Sequence, residues 1–92
     1  MKYENLKNIN PMGIYLKTKD VALTQKATSL KFNLNEYSFR LNSLTELEEK
    51  LSSSTDTVEK FFYSDQIKIN KERISILEKE VDILIEELGG VL

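Results

Sequence analysis

Cysteine, histidine and tryptophan are absent from this sequence, and proline occurs once. Without cysteine, no disulfide can staple the chain and no thiolate is present to bind a metal or act as a nucleophile. Without histidine, the usual proton shuttle and the commonest metal ligand are missing. The glycines Gly13, Gly89 and Gly90 all sit near the chain ends, so no glycine-rich phosphate loop exists. The longest aliphatic run is Ile83-Leu84-Ile85, far short of the roughly 20 residues a membrane span needs. Lys2 and Lys7 are followed by no apolar stretch that would make a secretory signal. A soluble cytoplasmic chain is therefore expected, with export by a route that uses no cleaved signal left open.

What is present is one small domain of 92 residues, 30% of them charged. A chain of this length buries a thin core, with a net stability of a few kcal/mol, and self-association is a common remedy. The net charge is −2, which does not favour a polyanionic partner. Basic residues are scattered rather than clustered, so no direct nucleic-acid binding is expected. Charge is uneven along the chain: residues 1–51 carry eight basic and six acidic side chains, residues 52–92 five and nine. The two halves can attract each other, although exposed pairs contribute little. The carboxylates group as Glu46, Glu48 and Glu49, as Glu86 and Glu87, and as Glu78 and Asp82 four apart. None has calcium-loop spacing, and solvated helix faces account for them. No catalytic residue, metal ligand or cofactor is assigned, and no enzyme is expected.

The clearest pattern runs over residues 58–88. With Ile67 at position a of a heptad, Ile74, Val81 and Leu88 also fall at a, while Asn70, Leu77 and Leu84 fall at d. That is a coiled-coil seam with one polar d position. A second row, Phe62, Ile69, Ile76 and Ile83, repeats at c. Position c lies roughly 200° around the helix from a. A helix with apolar rows on two sides needs covering twice, as in a bundle.

Residues 18–51 admit two readings. As a helix, Leu23, Ala27, Leu30, Leu34, Tyr37, Leu41 and Leu44 alternate spacings of four and three, and Leu51 continues the row. Glu48 interrupts that seam, with Leu47 beside it, and Phe32 and Phe39 stand seven apart outside it. As a β-hairpin over residues 28–41, Leu30, Phe32 and Leu34 alternate with polar residues, as do Tyr37, Phe39 and Leu41, around Asn35-Glu36. That pair lacks the glycine of the best two-residue turns. Ser43 with Glu46 then caps a short helix. The helix is preferred, because period over eight positions outweighs the poor propensity of the Ser, Thr and Asn residues there.

The expected organisation is all-α: a long antiparallel helical hairpin. It comprises an N-terminal arm at 1–17, a first helix at 18–51, a turn at 52–56, a second helix at 57–88 and a cap at 89–92. The arm holds the turn formers Asn5, Asn8, Asn10, Pro11 and Gly13 and the dockable Ile14, Tyr15 and Leu16. Asp56 with Glu59 predicts a capping box, and Gly89-Gly90 a left-handed C-cap. The hairpin core is expected from Leu30, Leu34, Tyr37, Leu41, Leu44, Ile67, Ile74, Leu77, Val81 and Leu84. Asn70 either fixes register from within the seam or sits wet at its edge.

Phe61-Phe62-Tyr63 cannot all enter one seam, since consecutive helical residues point about 100° apart. Phe62 joins the c row and Tyr63 falls at d, which leaves Phe61 outside. Phe61 through Asp65 also reads Phe-x-x-x-Asp. A polar helical hairpin of this length with that pattern resembles the small helical-hairpin proteins of bacterial type VII secretion, above all the partners of LXG-type toxins. The resemblance implies binding to the toxin's helical N-terminal domain and a targeting role, with Phe61 and Asp65 in an export signal. In that group the signal follows the second helix and a Trp-x-Gly turn is common; here the pattern precedes most of the helix and no Trp exists.

The functional expectation is a non-catalytic helical interaction module. Its partner surface is expected at Phe61, Phe62, Asp65, Ile69, Ile76 and Ile83, facing a helical client or a second copy in a homodimeric bundle. The competing reading is a small phage or mobile-element regulator that modulates another protein, built on the β-hairpin and a helical tail.

Overall fold

The computed structural model describes residues 2–92. It is all-helical, with no strand among the described residues, and two long helices packed against each other form a hairpin. Following a 3-10 turn at Glu4–Leu6 come helices α1 (Pro11–Thr18), α2 (Val21–Ser53) and α3 (Thr57–Leu88), then a 3-10 turn at Gly89–Val91. The β-hairpin alternative over 28–41 is not formed, because those residues lie wholly inside α2. Side chains that favour other local structure are absorbed by the helix. The hydroxyls of Thr24, Thr28 and Thr45 donate to the carbonyls four residues back at 2.9, 3.0 and 3.2 Å.

The arm is more structured than the turn formers imply. Pro11 occupies the first turn of α1, where its missing N–H costs nothing, and the Asn10 side chain accepts from Gly13 N–H at 3.2 Å. The helix expected from residue 18 starts at Val21 instead, and the end of the expected arm forms a helix of its own, α1, separated from α2 at Lys19-Asp20. Lys19 takes a left-handed conformation with φ 56° as the C-cap of α1. Asp20 then caps α2, its carboxylate accepting from Leu23 N–H at 3.2 Å. The turn between α2 and α3 is shorter than 52–56, since α2 runs through Ser53.

Asp56 caps α3 by accepting from the N–H groups of Val58 and Glu59 at 2.7 and 3.2 Å. The reciprocal half of the expected capping box does not form. Glu59 instead accepts from the Ser54 hydroxyl at 3.0 Å. At the other end of α3, Gly89 has φ 0° and no glycine has positive φ. The left-handed cap predicted there is replaced by a 3-10 turn, which carries the chain on with αR-like tightening.

The core sits at the open end of the hairpin. Leu30, Leu77, Leu88 and Val81 are its largest fully buried side chains, with Ala27, Leu34, Tyr37, Ile74, Tyr3 and Ile14 completing it. Ile67 is buried apart from this cluster. Of the expected core, Leu41, Leu44 and Leu84 are half-buried and pack against its edge. Between residues 38 and 66 no described residue is fully buried, because only two helices face each other there. Where α1 and the preceding turn add a third layer, the interior closes.

Candidate interaction surface

The α3 seam is settled by burial: Ile67, Asn70, Ile74, Leu77, Val81 and Leu88 all point inward. The c row, roughly 200° away from a, cannot share that face. Phe62, Ile69, Ile76 and Ile83 are accordingly 55, 46, 46 and 55% exposed. They form an apolar strip along α3 that no other described residue covers. Phe61 and Val58 extend it at the tip, and Asp65 is exposed one turn beyond Phe61. Tyr63 is half-buried and meets the Phe62 ring edge-on at 5.7 Å. Phe32 and Phe39 make a smaller exposed row on α2. They follow the seam residues Ala27 and Leu34 by five positions, about 140° around, so they face away from α3.

The arm does not cover the strip. Tyr3 reaches the opposite flank of α3, where its hydroxyl donates to Asp82 Oδ1 at 2.8 Å and its ring meets Tyr37 edge-on at 5.3 Å. Lys2 pairs with Glu78 at 3.2 Å. Glu78 and Asp82, the carboxylate pair on one helical face, thus hold the arm. Burial, reinforced by the bond to Asp82, pushes the Tyr3 hydroxyl up to about 12, and burial also raises that of Tyr37. Ile14 docks as expected, whereas Leu16 is 61% exposed and Tyr15 lies under the Lys19 ammonium. Tyr3 went unnoticed in the sequence, which offers only an isolated aromatic there.

On the flank away from the arm, polar groups close the seam. Glu36 receives both Nε and Nη2 of Arg73, at 2.8 and 2.9 Å. That fork, helped by Arg40, holds the Glu36 carboxyl below its usual range against the opposing effect of burial. Arg40 also donates to Asn70 Oδ1 at 2.9 Å, and Asn70 Nδ2 donates to Ser43 at 3.3 Å. Asn70 is therefore buried and satisfied rather than wet at an edge. Arg40, Arg73 and Ser43 were not singled out by period, because they flank the seam instead of filling it.

The remaining concavities are shallow. One of about 260 Å³ lies between the arm and Val91-Leu92, lined by Asn5, Asn8, Ile9 and Ile14 among others. Another sits on the outer turn of α2 beside Glu48 and Glu49. Among the described residues, no group of three or more acidic side chains is arranged to hold a metal. No helix among the described residues is long and apolar enough to cross a membrane.

The fold and its surface define the class: an all-α helical hairpin, braced at its open end by a short third helix, with an uncovered apolar strip on one long helix. Comparison with protein-family models, with curated proteins and with solved structures returned no match.

Proposed function

We propose that this chain is a non-catalytic interaction module whose c-row strip docks against another helix. The observation that carries the reading is the exposure of all four strip residues while the seam of the same helix is closed. Scattered exposed apolar side chains need no explanation, but a contiguous row is a feature of binding surfaces. The shape adds support. A radius of gyration of 17.0 Å exceeds the roughly 12 Å of a compact domain of this length. The accessible surface of 6272 Å² likewise exceeds the roughly 5,500 Å² of a compact monomer of this mass.

The finer reading is a partner or targeting factor for a type VII secreted toxin. It draws on the resemblance and on the placement of Phe61 and Asp65, both exposed and one helical turn apart where a receptor can reach them. In this reading Phe61→Ala with Asp65→Ala abolishes export of a co-produced toxin without loss of helix content. The coarser reading is tested by two paired substitutions. Ile76→Glu with Ile83→Glu should abolish association and keep the helical circular dichroism. Ile74→Glu with Leu77→Glu should unfold the hairpin. Equal unfolding by both pairs would place the c row in the intramolecular core and end the reading.

A further inference from the structure

We infer that the N-terminal arm, residues 2–18, exchanges between two copies of this chain, each arm docking on the other copy's α2 and α3. The inference does not use the strip and goes beyond the reading given for it. Two demands on the chain conflict within one molecule. The first is docking. Tyr3 and Ile14 are buried in the core, with Leu6 and Ile9 packed against it, so the arm closes the open end of the hairpin. To do so it folds straight back along α2. Tyr3 stands seventeen residues before Asp20, and Tyr37, which its ring meets, stands seventeen after.

The second demand is local. The reversal falls on Thr18-Lys19-Asp20-Val21, which contains neither glycine nor proline. Lys19 alone among the described non-glycine residues has positive φ, 56°, a conformation its Cβ disfavours. The break also interrupts the backbone ladder, and the Asp20 carboxylate stands in for it by accepting from Leu23 N–H. All four residues can continue a helix. Run through, α1 and α2 become one helix from Pro11 to Ser53, still capped by Asn10.

Extended in that way, the arm leaves its own hairpin and points beyond the open end. A second copy in the same state offers the empty seat, and its arm fills the first copy's seat by symmetry. Every docking contact is then remade between copies: Tyr3 with Asp82 and Tyr37, Lys2 with Glu78, Ile14 in the core. No new complementarity is needed, because the closed chain already displays the interface. What changes is the hinge. Its strain is relieved twice per dimer, which offsets part of the freedom lost on association. The closed monomer therefore holds at low concentration, and the dimer grows as concentration rises. The two hairpins lie end to end, so their α2 helices together span about 100 Å.

Zero-length carbodiimide cross-linking of a light and an isotope-labelled preparation, refolded together, tests this. Lys2 Nζ lies 3.2 Å from Glu78 and Lys26 Nζ 2.6 Å from Glu87, close enough to couple. In the dimer fraction, the Lys2–Glu78 link should join one light and one heavy peptide. The Lys26–Glu87 link ties α2 to α3 and should stay within one isotope, as both links should in the monomer fraction. Sedimentation equilibrium supplies a second readout. Lys19→Gly makes the reversal easy and should weaken the dimer about tenfold. Asp20→Ala removes the cap of the broken form and should strengthen it by about the same factor. A wild type that stays monomeric up to about 1 mM overturns the inference. So does a dimer indifferent to both substitutions, or one whose Lys2–Glu78 links stay within one isotope. A mixed-isotope Lys26–Glu87 link also overturns it, because the exchange would then lie at the turn between α2 and α3. None of these outcomes touches the strip, whose reading rests on the Ile76 and Ile83 substitutions.

Discussion

Asn70 occupies a position that a coiled-coil seam normally gives to leucine, and it is tolerated because each of its polar ends has a partner. Arg40 donates to its oxygen and its amide donates to Ser43. A buried polar group without such bonds would cost more than the bonds gain. Asn70→Ala removes both partners and leaves a hole, and a loss of about 1–3 kcal/mol is expected from urea denaturation. In a double-mutant cycle with Arg40→Ala, the coupling should exceed about 0.5 kcal/mol. Tyr3 is the other residue on which much depends. Its hydroxyl ionises only near 12 in the fold, above its ordinary value of 10.0. A raised folded value means the contribution is complete below about pH 10 and is lost as pH climbs through about 12. The arm should therefore undock across that window, read by near-ultraviolet circular dichroism. Tyr3→Phe should lose about 0.5–1.5 kcal/mol at neutral pH and show a smaller alkaline change, with the ionisation of Tyr37 remaining.

Each helix begins on a side chain suited to cap it: Asn10, Asp20 and Asp56. The ends are less uniform. Lys19 holds a left-handed conformation that an L-residue with a Cβ adopts at a cost of about 1–2 kcal/mol. Lys19→Gly should stabilise the fold by up to about 1 kcal/mol after glycine's larger entropy loss is subtracted, read as a higher thermal midpoint. Within α3 the seam does most of the stabilising. Leu77 is fully buried, so Leu77→Ala should cost about 2–5 kcal/mol, comparable to the whole stability of a domain this small. The same change at Ile69, on the exposed row, should move monomer stability by less than about 1 kcal/mol.

For the molecule as a whole, ion pairs join its two halves, two of them with the sign the charge asymmetry favours and one, Glu36 with Arg73, against it. Lys2 meets Glu78, Lys26 meets Glu87 and Glu36 meets Arg73, each joining the first half to the second. All three are partly exposed, so raising salt should lower stability modestly, by about 1 kcal/mol or less per pair. The Glu36 carboxyl is held below its usual range, so its contribution is present above the ordinary carboxylate value and is lost as pH falls through the lower one. The molecule is 56 Å long and 18 Å across, and its interior closes only at the end where three helices meet. The far end is two helices thick and carries Phe61, Phe62 and Tyr63. Amide exchange should be fastest there, rising toward Ser54 from both helices, because few buried contacts oppose local opening.

Period in the sequence was enough to determine α3, with its inward face and the row that stays outside, and to favour the helix over the β-hairpin at 28–41, which the structure then decided. Burial selects one face of a helix, and the 3.6-residue repeat writes that face into the order of residues. The α3 boundaries were legible for the same reason, with Asp56 before the repeat and Gly89 after it. Only the tertiary structure decided what the arm does, since docking depends on contacts between residues nearly eighty apart, such as Tyr3 with Asp82. It also decided between the two states of Asn70, because nothing local to that residue says whether Arg40 and Ser43 will reach it. The break at Lys19-Asp20 belongs to the same class. Local propensity alone lets α1 and α2 run together, and the packing of α1 back on α2, with Ile14 buried, is what makes the strained turn worth its cost.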